Sequence, residues 1–85
     1  MIATHKYLNL DVSVINVSAL IIEILKENNV VQYDELLNIV IAALGKNAKE
    51  IFPYSLNFLY LVNKIEYITE LDAFRLNEIK QTILQ

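Results

Sequence analysis

The sequence contains no cysteine and only one glycine, one proline and one histidine among its 85 residues. Without cysteine, the chain can form neither disulfides nor thiolate metal sites. A single glycine excludes the glycine-rich loops that cradle phosphate groups. His5, the one histidine, lies close to the N-terminus and belongs to no cluster of Asp or Glu at metal-ligand spacing. We therefore expect no catalytic residues, no cofactor and no metal, and predict that the chain is not an enzyme.

Positive charge is also scarce. The net charge is −3 and the isoelectric point is about 4.9. The seven basic residues are scattered, and no two adjacent positions are both basic. Nucleic-acid-binding domains usually carry a basic patch and a high isoelectric point. We expect direct nucleic-acid binding to be weak or absent, and the residues placed to touch phosphate are Lys46, Lys49 and Lys64.

Long hydrophobic runs are missing as well. The most apolar stretch, Val14–Leu25, is 12 residues long and carries Asn16 and Glu23, whereas a spanning helix needs about 20 mostly apolar residues. Asp11 precedes this stretch in place of the basic flank of a signal peptide. We expect no membrane association and a soluble, cytoplasmic protein.

What the chain has in excess is apolar side chains. Hydrophobic residues make up 55% of it and the mean hydropathy is +0.39, against about 45–50% apolar residues in average soluble domains even when glycine is counted. A chain this short buries only about 60% of its unfolded surface. Surplus apolar surface on a small domain usually marks a contact with another protein.

Apolar periodicity and capping residues predict three helices within one domain, over residues 12–28, 32–44 and 47–63. Asp11 or Ser13 can cap the first helix. Asn28-Asn29 can end the first helix and Gly45 the second. A capping box from Asn47 to Glu50 is predicted to open the third helix. Pro53 is predicted to break or kink that helix, because proline lacks the backbone N–H, so that its main body runs from Pro53 to about Asn63.

Residues 65–76 are predicted to form a hairpin that turns at residues 69–72. This register pairs Tyr67 with Phe74 and sets Glu66 opposite Arg75, and both kinds of pair are favourable across strands. Val30-Val31 reads as a short strand, residues 1–11 as an N-terminal arm and residues 77–85 as a tail or short helix. The predicted fold is mainly α with a small β-hairpin, in the order of a winged helix-turn-helix.

The predicted core faces leave apolar flanks uncovered. The apolar arcs of the first two helices span about 220° and 200°, against about 100° for one buried stripe. The predicted core residues of these helices are Val14, Val17, Ile21, Ile24 and Leu25, then Leu36, Ile39, Val40 and Ala43. The flanking residues are Ile15, Ile22, Leu37, Ile41 and Leu44. They belong either to a thick core closed by the N-terminal arm and the C-terminal tail or to a protein interface.

The third helix has an apolar outer face. If Leu56 and Leu59 point into the core, the outward residues are Tyr54, Asn57, Phe58, Tyr60 and Leu61. A DNA-reading helix would carry polar readers there, whereas aromatic and aliphatic side chains suit a contact with a protein. We predict that Tyr54, Phe58 and Leu61 belong to an interface; the alternative is that Phe58 and Leu61 lie in the core.

Two stretches resemble a known family. They are residues 5–11 running into Ser13-Val-Ile-Asn-Val-Ser-Ala-Leu20, and Tyr33-Asp-Glu-Leu-Leu37 followed by Leu56-Asn-Phe-Leu-Tyr-Leu61, Lys64-Ile-Glu-Tyr67 and Leu71-Asp-Ala-Phe74. Together they look like the middle components of bacterial ABC-three component systems. Such proteins also resemble the kleisin-associated winged-helix subunits of bacterial condensins.

The resemblance implies a short, non-catalytic winged-helix subunit. It would bind an SMC-like or RecF-like ATPase, or a subunit associated with it, in a system that acts against phage or plasmid DNA. The family usually prefers glycine before the hairpin where this chain has Asn63, which tolerates the same left-handed conformation.

Two rival hypotheses remain. One is a winged-helix transcription regulator that forms a homodimer and binds DNA in a salt-dependent manner. The other is an antitoxin-like protein whose apolar faces cover a small toxic partner. Size-exclusion light scattering would show whether part of the apolar surface serves self-association.

Overall fold

A computed structural model of the chain describes residues 13–77. In this range helix α1, strand β1, helices α2 and α3 and strands β2 and β3 follow one another. Their bounds are Val14–Asn28, Val30–Gln32, Tyr33–Leu44, Ala48–Leu61, Ile65–Ile68 and Ala73–Leu76. The predicted arm (1–11) and residues 78–85 of the predicted tail lie outside the described residues.

The three strands form one antiparallel sheet in the order β1-β3-β2. Strands β2 and β3 pair in the predicted register, with Tyr67 opposite Phe74 and Glu66 opposite Arg75. Strand β1 adds to the other side of β3, where Val31 faces Phe74. Three helices and this small sheet confirm the mainly helical fold class, and the arrangement is compatible with a winged helix.

The turn between β2 and β3 is stabilised by polar contacts. Residues Thr69–Leu71 form a single 3-10 turn, and Asp72 closes it in the left-handed conformation (φ 50°). The Tyr67 hydroxyl donates a hydrogen bond of 2.6 Å to the Asp72 carboxylate. This hydrogen bond, with desolvation and the negative charge of the same carboxylate, raises the pKa of Tyr67 above its usual value.

Helix α1 contributes the largest stripe of the core. Ser13 caps its start by accepting a hydrogen bond of 3.1 Å from the backbone N–H of Asn16. Its buried side chains follow the 3.6-residue period, as predicted, except that Val14 is only half buried. The Ser55 hydroxyl of α3 donates a 3.2 Å hydrogen bond to the carbonyl of Val14. The start of α1 is therefore fastened to the middle of α3.

The predicted core face of α2 is partly wrong. Ile39 is 36% exposed and Ala43 is exposed, while Leu37 and Leu44 pack against the core instead. The cause is Tyr33, the first residue of α2, whose ring lies 5.3 Å from the ring of Phe52. With Tyr33 turned inward, the inward stripe of a regular helix passes through Leu36, Leu37, Val40 and Leu44.

The predicted break at Pro53 and the predicted capping box are also wrong. Helix α3 runs without interruption through Pro53. The carbonyl that loses its partner belongs to Lys49, and both residues are exposed, so water can solvate that turn. Asn47 is itself in a helical conformation (φ −62°, ψ −24°) and caps nothing with its side chain. Backbone bonds three residues apart, from Ala48 to Gly45 onward, open the helix instead.

Phe52 should dominate the stability of the domain. It is fully buried, so we expect Phe52→Ala to lower the free energy of unfolding by about 3–5 kcal/mol, because it removes apolar contacts and leaves a cavity. Tyr54→Ala is the matched control on the same helix, since Tyr54 is 67% exposed. Urea denaturation followed by circular dichroism measures both changes. Equal losses would contradict the assigned orientation of α3.

Candidate functional site

The outer face of α3 carries three large apolar side chains at helical spacing. Tyr54, Phe58 and Leu61 are 67%, 44% and 70% exposed. Positions i, i+4 and i+7 lie on one side of a helix, over about 10 Å of its axis. Phe52, Leu56 and Leu59 on the opposite side are buried. We call Tyr54, Phe58 and Leu61 the α3 stripe.

The alternative that Phe58 and Leu61 belong to the core does not hold, since both are exposed. Within residues 13–77 neither forms part of the buried cluster. Asn57, also exposed, is the polar residue among them. The outer face of α3 is therefore mainly apolar and in contact with solvent. The stabilisation that burial of this apolar area would give is absent in the isolated domain.

The end of α3 places Leu61 at an open corner. The N–H of Lys64 donates to the carbonyl of Leu59 at 2.9 Å and the N–H of Asn63 donates to that of Tyr60 at 3.0 Å. This is the Schellman pattern, which requires a left-handed residue, and Asn63 supplies it with φ 64°. The chain reverses at Asn63, so that Ile65 enters the core while Leu61 stays outside.

Two exposed residues beside the stripe were absent from the predicted interface. Val62 is 46% exposed and follows Phe58 by one turn, and Tyr60 is 59% exposed on another side of α3. Tyr60 could be found from its outward position on the predicted helix. Val62 could not, because its exposure depends on the reversal at Asn63.

The predicted interface residues of α1 and α2 are not all alike. Ile15 is 70% exposed, close to the end of α1 that Ser55 binds. Ile22, Leu37 and Leu44 are half buried and pack against the core. Ile41 is half buried. Ile15 is thus the one of these five whose side chain is mostly available to a partner.

The three lysines predicted as phosphate contacts do not gather in one patch. Lys46 and Lys49 lie at the start of α3 and Lys64 lies beyond its end. A helix of 14 residues separates the two groups by about 20 Å. All three side chains are exposed, and Glu50 follows Lys49 directly. The predicted weakness of direct nucleic-acid binding stays a prediction.

Residues 13–77 contain neither a metal site nor a membrane-spanning helix. No group of three or more His, Asp or Glu in this part of the chain is arranged to hold a metal ion. None of the helices described has the length and apolarity needed to cross a bilayer.

The fold and the stripe define a small, mainly helical domain with an exposed apolar surface on α3. Comparison with protein families identifies it further: residues 29–77, more than half of the chain, match the family of ABC-three component (ABC-3C) system Middle Component 8. The chain belongs to this family, as the resemblance predicted. It is a middle component of a multi-component system, which implies protein partners. No curated protein and no solved structure matches the chain.

A negative charge introduced on α3 should distinguish the two faces of the helix. We expect Phe58→Asp to lower the free energy of unfolding by about 1 kcal/mol, because Phe58 is 44% exposed and part of its ring is covered by the domain. Leu59→Asp, its neighbour, should unfold the domain, because it buries an unpaired charge at a position that is 2% exposed. Thermal denaturation of both variants checks this. An unfolded Phe58→Asp variant would place Phe58 in the core after all.

Proposed function

We propose that the chain is a non-catalytic adaptor subunit that binds a partner protein through the α3 stripe. The observation that carries the proposal is the outward placement of Tyr54, Phe58 and Leu61 on the helix whose other face forms the core. Family membership supports it, because a middle component works together with other components.

The chemistry of the stripe favours a groove on the partner. An amphipathic helix that presents apolar residues at i, i+4 and i+7 is a common way of filling a hydrophobic groove. Aromatic anchors contribute most of the affinity of such contacts. A DNA-reading function would need polar readers on the same face, and Asn57 is the one such residue between the three apolar ones.

The partner that we propose is the SMC-like ATPase of the system, or the subunit associated with that ATPase. The adaptor adds apolar contact area and positions the other components, while ATP hydrolysis belongs to the ATPase. We propose that the complete complex acts in defence against phage or plasmid DNA. Within it, the exposed lysines of the α3 ends are free to lie near a DNA phosphate held mainly by other subunits.

Self-association is the second use that the exposed side chains allow. A second copy of the chain could cover the α3 stripe, or Ile15, which is 70% exposed. Size-exclusion chromatography with light scattering distinguishes the two uses. A monomer alone and a heteromer upon co-expression support the adaptor; a stable homodimer that persists without the ATPase assigns the surface to self-association.

Leu61→Asp should abolish partner binding while the domain stays folded. Loss of an apolar anchor from an interface costs about 2 kcal/mol or more, which lowers affinity about thirtyfold. Co-purification of the tagged chain with the co-expressed ATPase and its associated subunit measures the effect. Asn38→Asp is the control, because Asn38 is an exposed residue of α2 and receives the same charge. Equal recovery with both variants would overturn the proposed surface.

A further inference from the structure

A second surface lies between α1 and α2. It is a shallow cleft of about 220 Å³ with an apolar floor and acidic sides, lined by Leu20, Glu23, Ile24, Glu27, Asn28 and Ile39. Ile39, which the sequence predicted to lie in the core, lines the cleft on the α2 side. The cleft shares no residue with the α3 stripe, so it can be occupied independently of the contact proposed above.

Within residues 13–77 the acidic residues of the cleft form no ion pair, although Lys26 lies beside Glu27 on α1. Glu23 and Glu27 are one turn apart on α1, both exposed, and like charges at this spacing repel. Among the described residues, the ion pair that forms is between Arg75 and Glu66, elsewhere on the sheet. Glu35 adds a third negative charge one turn before Ile39 on α2. A cation bound here would reduce the repulsion between the carboxylates and would itself be attracted by them.

We propose that this cleft docks a short segment of a partner protein in which one aliphatic side chain is flanked by lysine or arginine. The aliphatic side chain would cover Leu20, Ile24 and Ile39, removing their exposed area from water. The flanking cations would pair with Glu23 and Glu27, whose carboxylates border the floor. Charge complementarity of this kind sets partner choice and association rate.

The probe for this site is the acetylated and amidated peptide Lys-Lys-Leu-Lys-Lys, added to the ¹⁵N-labelled 85-residue chain. We expect saturable shifts of the backbone amide signals of Leu20, Ile24 and Ile39. Peptides with serine in place of the leucine, or glutamate in place of the lysines, should bind far more weakly. Shifts centred on the α3 stripe, or shifts that do not saturate, would overturn the proposal.

Paired variants test the role of charge. Replacing both acids by Glu23→Gln and Glu27→Gln should lower the peptide affinity about three- to tenfold at low salt, as expected for two exposed ion pairs. The difference should shrink as salt screens the charges. The control is Glu50→Gln with Glu70→Gln, which removes the same charge from exposed positions outside the cleft. If both double variants lowered the peptide affinity equally, the peptide would be attracted by net charge alone. That result would contradict a binding site in the cleft.

The chain's own C-terminal residues are the rival occupant, since they include Lys80, Ile79 and Ile83. The absence of cysteine allows a single spin label to be attached through Gln85→Cys. If the label broadens the Leu20 and Glu27 signals before any peptide is added, the tail fills the cleft and the proposal is wrong. Unaffected signals, together with saturable peptide binding, support docking of a partner segment.

Discussion

The packing of Tyr33 between Phe52 and Phe74 joins three parts of the domain. The ring of Tyr33 lies 5.3 Å from that of Phe52 in an edge-to-face arrangement and 6.2 Å from that of Phe74. Tyr33 begins α2, Phe52 lies in α3 and Phe74 lies in the central strand of the sheet. Aromatic pairs at these separations stabilise beyond their buried area. Because each ring belongs to a different element, the cluster sets how both helices are rotated relative to the sheet.

That rotation determines the two surfaces of the molecule. With Phe52 inside, a regular α3 must turn Tyr54, Phe58 and Leu61 outward, and with Tyr33 inside, α2 must turn Ile39 toward α1. The exposed apolar face is thus a consequence of forming the core. A middle component can in this way be a stable small domain and still offer apolar contacts to other subunits, which fits membership of a multi-component family.

Much of the fold could be predicted from the sequence, because the helical periodicity and the cross-strand pairs agreed with the structure. The α1 core, the phase of α3, and the hairpin register each rested on a clear period or on a favourable cross-strand pair such as Glu66–Arg75. The α3 stripe was predictable for the same reason, because it is the complement of Leu56 and Leu59.

The wrong predictions concern residues whose placement depends on contacts with residues distant in the sequence. Ile39 was assigned to the core because α2 has two apolar flanks of similar strength, and the choice between them depends on Tyr33 meeting Phe52. The continuity of α3 through Pro53 depends on packing along its inner face, which outweighs one lost hydrogen bond. The cleft between α1 and α2 could not be predicted, since it requires the docked positions of both helices.

Photo-crosslinking within the assembled complex would show whether the α3 stripe contacts a partner subunit. A benzophenone-bearing phenylalanine analogue at position 58 and, separately, at position 38 would be irradiated in cells that express all components. If the stripe is the docking surface, position 58 gives a specific adduct with the ATPase or its associated subunit and position 38 gives none. Adducts from position 38 with none from position 58 would show that the partner binds another face, and that the exposed α3 stripe is not the docking surface.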